Sequence, residues 1–144
     1  MRRLFTIMIL YCSFIIQTAI LLGGPDLSLL ILITLALYED KVTSTLAGFL
    51  IGFCFDLIVP YKLGVNMFSL SIIGYFVNIM RSFFYRSFWQ PIVFALVGIL
   101  IKNSFLLING MPLSLSSLLI TALLTLSFSL PVERTMYKLF FQNK

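Results

Sequence analysis

Long apolar runs, separated by short polar or glycine–proline breaks, make up most of the chain. The first, Leu4 to Leu22, follows Arg2 and Arg3 and ends at Gly23-Gly24-Pro25-Asp26. That break reads as a turn followed by a helix start, because proline suits the first helical turn and aspartate favours a helix N-terminus. Leu27 to Tyr38 is the second run, terminated by Glu39-Asp40-Lys41. Val42 to Val59 is the third, broken by Pro60 and closed by Gly64. Val65 to Met80 is the fourth, and the polar-aromatic stretch Arg81 to Gln90 follows it. Pro91 to Ile108 is the fifth, ending at Asn109-Gly110-Met111-Pro112, and Leu113 to Leu130 is the sixth, stopped by Pro131. A helical span needs roughly 20 residues, so six spans use about 120 and leave only short loops and a tail. The pattern predicts a single-domain, all-α integral membrane protein with six transmembrane helices. The spans fall at approximately 4–22, 26–38, 42–59, 65–80, 91–108 and 113–130, with a tail over 132–144.

Composition agrees. Of 144 residues, 60% are hydrophobic and 10% charged, with a mean hydropathy of +1.09. A soluble domain could not cover so much apolar surface with so few charges. Histidine is absent, which removes histidine-based general bases, Ser-His-Asp and Cys-His pairs and nearly every zinc or haem site. No catalytic, metal or cofactor site is expected, and the chain is not expected to be an enzyme. Cys12 and Cys54 each lie inside an apolar run and read as buried thiols acting as small hydrophobes.

The net charge of +5 would suggest nucleic acid for a soluble protein; here the placement of the charges matters more, and no nucleic acid is expected. The second run is short, about 18 Å of helix against a hydrocarbon core of roughly 30 Å, and a re-entrant segment is the alternative. Charge placement decides between them. With six spans, one side holds Arg2, Arg3, Lys41, Arg81, Arg86, Arg134, Lys138 and Lys144, and the other only Lys62. If the second run did not cross, the cations would divide between the two sides. The positive-inside rule prefers six spans with both termini cytoplasmic. A cleaved signal peptide is the other reading of the N-terminus, but the run is long and lacks a convincing small-x-small site before Gly23.

Ser44, Gly48, Gly52 and Asp56 recur every four residues on the third span, along one helix face. Small residues so spaced let another backbone approach closely, either within this bundle or from another subunit. A carboxylate within the bilayer costs on the order of 3 kcal/mol on insertion scales, so Asp56 is expected to face protein or water. Lys102, seven residues before Asn109, belongs to the outer half of the fifth span, and its long side chain can snorkel. The two lie at compatible depths, which makes Asp56–Lys102 a candidate intramembrane pair; separate solutions by snorkelling and water are the alternative. A proton or ion relay needs more ionisable groups than these. The stretch Arg81 to Gln90 mixes Arg81 and Arg86 with five aromatics, Trp89 among them. It reads as an interfacial anchor on anionic lipid or a docking loop for a cytoplasmic partner. In the tail, Val132, Met136, Leu139 and Phe140 share a face away from Arg134 and Lys138, as in a short amphipathic helix on the inner leaflet.

The order of these motifs resembles a known family. Pro25-Asp26 opens a short apolar span closed by an acidic turn. Gly48-Phe49-x-x-Gly52-Phe53-x-x-Asp56-Leu57 follows, then Leu63-Gly64-Val65, the serine-rich Ser69-Leu70-Ser71-Ile72-Ile73-Gly74-Tyr75, and a basic-aromatic loop ending Trp89-Gln90-Pro91. This is similar to the bacterial rod shape-determining MreD family, most strongly from Pro25 to Gln90; beyond Pro91 only hydropathy matches. The resemblance implies a non-enzymatic subunit of the cell-elongation machinery in the bacterial cytoplasmic (inner) membrane. It implies complex formation with the bitopic protein MreC, and through it with the filament MreB, the glycosyltransferase RodA and a class B penicillin-binding protein. It also implies a fold resembling the six-helix substrate-binding component of energy-coupling-factor vitamin transporters. Gly48, Gly52, Asp56 and Gly64 stand at the family's signature positions.

The leading expectation is therefore a membrane scaffold in cell-wall elongation, contributing helix faces and short loops. The second is a small-molecule (vitamin) binding component of an energy-coupling-factor transporter, which needs converging polar groups in a pocket. Asp26, Asp56, Lys62, Asn66, Lys102 and Asn109 are few for that. The threading itself is testable: in a chain with Arg86→Cys as a reporter, labelling should occur from the cytosolic side alone, and labelling from outside intact cells would refute it.

Overall fold

The computed structural model describes residues 25–58, 64–83, 89–110 and 114–138. The expected first span at 4–22, with Cys12, lies outside the described residues, as do Lys62, Arg86, Leu139 and Phe140. Among the described residues there are five helices: α1 (Leu27–Tyr38), α2 (Lys41–Ile58), α3 (Val65–Met80), α4 (Gln90–Ile108) and α5 (Leu115–Met136). Three of them, α2, α4 and α5, are long and apolar enough to cross a membrane; α1 and α3 are shorter apolar helices.

Contacts fix the relative directions. Along α2 and α3, Ser44 meets Gly74 while Asp56 meets Gly64, so the two run antiparallel. Lys102 meets Asp26 and Gly98 lies against Leu29 and Ile33, so α4 opposes α1. Asp26 bonds Thr125 and Tyr38 bonds Glu133, so α5 runs parallel to α1. Each described helix therefore reverses the one before it.

The short helix α1 occupies the centre. Every residue from Ser28 to Ala36 is buried, on all sides of the helix, as expected of a segment apolar all round. Leu29, Leu32 and Ile33 pack with Leu70, Ile73 and Val77 of α3 and Phe94, Ala95 and Ile99 of α4. About 18 Å of helix is short for a lipid-facing span, but α1 faces protein. Its length answers to its neighbours instead.

The small residues on α2 and α3 bring two backbones together. A Cβ on Gly48 would fall 2.7 Å from the carbonyl carbon of Leu70, and one on Gly74 2.6 Å from the carbonyl oxygen of Ser44. On Gly52 it would run into the backbone of Asn66 and Met67. Ser44, buried, donates its hydroxyl to Lys41 O (3.1 Å) and Gly74 O (3.3 Å). The four-residue stripe is thus consumed inside the chain, against α3. The opposite face of α2 carries Leu46, Leu50, Phe53 and Leu57, all exposed. Cys54, expected buried, is exposed there too.

The helix over 115–136 departs from expectation. Pro131 was predicted to stop it at Leu130, yet α5 passes through Pro131 to Met136. An interior proline costs about 3 kcal/mol, and spanning helices tolerate it where neighbours resupply the lost interactions. Here the last turns are held from α1: Met136 packs with Ile31 and Leu35, Val132 joins them, Glu133 accepts from the Tyr38 hydroxyl, and the Tyr38 and Tyr137 rings lie 5.3 Å apart. Val132 and Met136 face inward and Arg134 and Lys138 outward, but the apolar face expected on the inner leaflet packs against α1 as a continuation of α5.

The glycines separate by what surrounds them. Gly48→Ala and Gly52→Ala thrust a methyl into backbone that cannot yield, whereas Gly98→Ala meets only the ends of Leu29 and Ile33, 3.2 Å away or more. Thermal melts in detergent should show each of the first two losing stability by about 1–3 kcal/mol, and Gly98→Ala losing clearly less.

Candidate functional site

Two buried carboxylates, Asp56 and Asp26, organise one end of the bundle. Asp56 is fully buried in the last turn of α2. Its oxygens accept from Gly64 N (2.9 Å), Asn66 N (3.1 Å), Asn66 Nδ2 (3.0 Å) and Met67 N (3.0 Å). These donors belong to the start of α3. Its N-cap is Gly64, held at φ +100°, which has no side chain to offer. An ordinary N-cap side chain accepts from the second and third helical N–H groups; Asp56 does the same from a neighbouring helix. The positive end of the α3 dipole and four donors offset the desolvation of the buried acid. Gly64 is required for its left-handed backbone, since a Cβ there would meet open space.

Asp26 caps its own helix. Its Oδ1 accepts from Ser28 Oγ (2.8 Å) and Leu29 N (3.2 Å), while its backbone N–H donates to Thr125 Oγ1 (2.9 Å). Its Oδ2 accepts from Lys102, the one salt bridge among the described residues. Lys102 also lies 5.8 Å from the centroid of the Phe55 ring. The expected Asp56–Lys102 pair is thus replaced by Asp26–Lys102. The reason is lateral: α4 packs against α1, and the Asp56 carboxylate is turned into the start of α3. Both acids are drawn to helix N-termini; only one has a lysine beside it. Pro25, half-buried, immediately precedes this cap.

At the other end, the last carbonyls of α1 meet side chains from α3. Asn78 Nδ2 donates to Ala36 O (2.9 Å) and Glu39 O (2.7 Å). Arg81 donates to Ala36 O (3.3 Å), Leu37 O (2.9 Å) and Glu39 O (2.9 Å). Arg81, expected as an interfacial anchor or docking residue, is instead a cap for α1, and a cation at a helix C-terminus also complements the dipole. Trp89, at the N-cap position of α4, is exposed. Its neighbour in that reading, Arg86, lies outside the described residues. No signal in the sequence links Arg81 to α1, because the carbonyls it serves belong to another helix.

Asp56, Asp26, Thr125, Asn78 and Arg81 each supply a hydrogen bond that a helix end inside an apolar bundle lacks.

The family model for the rod shape-determining protein MreD matches residues 1–141 of the chain. No curated protein and no solved structure shows significant similarity to it.

The two acids predict different couplings. In a double-mutant cycle read by thermal unfolding, Asp26→Asn with Lys102→Met should show about 2 kcal/mol of coupling. Asp56→Asn with Lys102→Met should lie much nearer additivity. A larger coupling for Asp56 than for Asp26 would contradict the arrangement. Asp56→Ala alone should destabilise on the order of 3 kcal/mol, combining a lost cap with stranded N–H groups.

Proposed function

This chain belongs to the MreD family of rod shape-determining proteins, and on that premise we propose that it is a non-enzymatic, six-span scaffold of the elongation machinery. In this reading it sits in the bacterial cytoplasmic membrane with both termini in the cytosol. It supports lateral peptidoglycan synthesis by holding MreC, and through MreC it joins MreB, RodA and a class B penicillin-binding protein. On the same reading, residues 4–22 supply the first of the six spans, and the fold resembles that of the energy-coupling-factor substrate-binding components. The role in rod shape follows from family membership; the partners and the wider assembly are the proposal.

The observation that carries it is a family match running almost end to end, over 1–141. The chemistry of the described residues is in keeping with it. The buried acids, Asp26 and Asp56, are engaged in capping helices and pairing with Lys102, roles that hold a rigid shape. The alternation of helix direction and the gathering of Lys41, Arg81, Arg134 and Lys138 toward one end of the bundle agree with a cytosolic side by the positive-inside rule. The vitamin-transporter reading receives no support from the family match and is set aside.

Affinity purification of the tagged full chain from its native membrane in mild detergent tests the proposal. Stoichiometric co-recovery of MreC is the expected result. Recovery of a paired ATPase with a coupling subunit, and no MreC, would overturn it.

A further inference from the structure

α3 turns Leu70, Gly74 and Val77 toward α2 and α1, which leaves one of its faces pointing out of the bundle. Phe68, Ile72, Tyr75, Phe76 and Ile79 share that face at the spacing of a helical stripe. Phe68, Tyr75 and Phe76 are exposed, and the two isoleucines are half-buried. An apolar face on a spanning helix is by itself a surface for lipid. Tyr75 sets this one apart. It is 49% exposed, and its hydroxyl makes no hydrogen bond among the described residues.

Other hydroxyls on outward faces are satisfied locally. Ser104 and Ser127 each donate to the carbonyl four residues back, Leu100 O and Leu123 O. A tyrosine hydroxyl stands at the far end of a rigid ring and cannot bend back to its own helix in this way. Depth closes the other route, which is water. α3 has 16 residues, about 24 Å of helix against a hydrocarbon core of roughly 30 Å. Tyr75, five residues before Met80, lies about 8 Å inside that end. Side chains on a helix lean toward its N-terminus, so the hydroxyl is carried away from the nearer interface and toward the middle of the bilayer. Tyrosine belongs at headgroup level, which at this end of the bundle falls near Arg81 and the exposed Trp89. A hydroxyl left alone in hydrocarbon is costly.

We propose that this face of α3 seats a single membrane-spanning helix of a partner protein, which brings a hydroxyl or amide side chain to Tyr75. Such side chains hydrogen-bond across helices in membranes. The face carries no charge, so the partner helix is otherwise apolar. It presents small residues to the rings of Phe68 and Phe76, since close helix pairs need small residues on at least one side. A second copy of this chain does not meet that need. It would set aromatic against aromatic, because Gly74, the small residue at this level of α3, is already spent on Ser44 of α2. The inference rests on the scaffold reading for its partner and adds where on the chain that partner sits.

The test is photo-crosslinking of the full chain in native membranes. A photoreactive phenylalanine analogue is placed singly at Phe68, Ile72 or Phe76, with the exposed Leu50 of α2 and Leu100 of α4 as reference positions. The three α3 positions should join the spanning segment of MreC, and the reference positions lipid alone. Tyr75→Phe removes only the unpartnered oxygen. The melting temperature of the isolated chain should therefore stay unchanged, while co-recovery of MreC falls about fivefold, the value of one neutral hydrogen bond. Adducts to MreC from Leu50 or Leu100 in place of α3, adducts from α3 to lipid alone or to a second copy, or undiminished co-recovery with Tyr75→Phe would each overturn the inference and leave the scaffold proposal standing. Failure of the unmodified chain to recover MreC would overturn both.

Discussion

Backbone N–H and C=O groups have no water to turn to inside a lipid-embedded bundle, and each one left unsatisfied costs several kcal/mol. A helix that ends at such a depth must find partners for its terminal groups among its neighbours. α1 is that case. It is twelve residues long and buried all round, and both its ends are held by side chains. Asp26, with Thr125 and Lys102 around it, holds the N-terminus. Asn78 and Arg81 take the last carbonyls. Three other helices, α3, α4 and α5, thus converge on one short helix, which explains how twelve residues can sit at the centre of the bundle.

The same constraint explains the acid on α2. The approach of α2 to α3 requires glycine at 48, 52 and 74, where a Cβ would strike backbone. At the start of α3 the cap position falls to a glycine with open space around it. Gly64 takes a left-handed conformation there, and a glycine cap has no acceptor to give. Asp56, one step further along the same four-residue stripe, supplies the missing acceptor. The stripe and the acid are one device: the small residues bring α3 close enough for a side chain on α2 to cap it.

Much of this was legible in residue order. Helix bounds follow from apolar runs and their breaks to within a residue or two for α1 to α4. Asp26 reads as a helix start because an acid after proline has a dipole to complement, and the spacing of 44, 48, 52 and 56 reads as a packed face. The partner of Lys102 did not emerge. Hydropathy gives depth along a span but not which spans are neighbours. Asp26, assigned to a turn, was passed over as a partner in favour of an acid inside an apolar run. Pro131 was misread for a related reason: its local preference to end a helix is outweighed by contacts to Ile31, Leu35 and Tyr38, which lie almost a hundred positions earlier. Arg81 was read as lipid- or partner-facing because the carbonyls it serves belong to another helix.

Helix direction ties the remaining charges together. α1, α3 and α5 run parallel, so their N-termini gather at one end of the bundle and their C-termini at the other. Asp26, Asp56 and the hydroxyl of Ser114 serve the three N-termini, where negative charge and acceptors are favoured. Arg81 serves a C-terminus, and Arg134 lies in the last turn of α5, where positive charge is favoured. A segregation of cations that hydropathy analysis reads purely as membrane orientation is therefore also a local electrostatic requirement of the fold. The two readings do not compete, because a cation at the cytosolic interface and a cation on a helix C-terminus occupy the same place when parallel helices end there. Arg81 belongs with the fold on this ground. The charged surface left over for a partner is accordingly smaller than the net charge of the chain suggests.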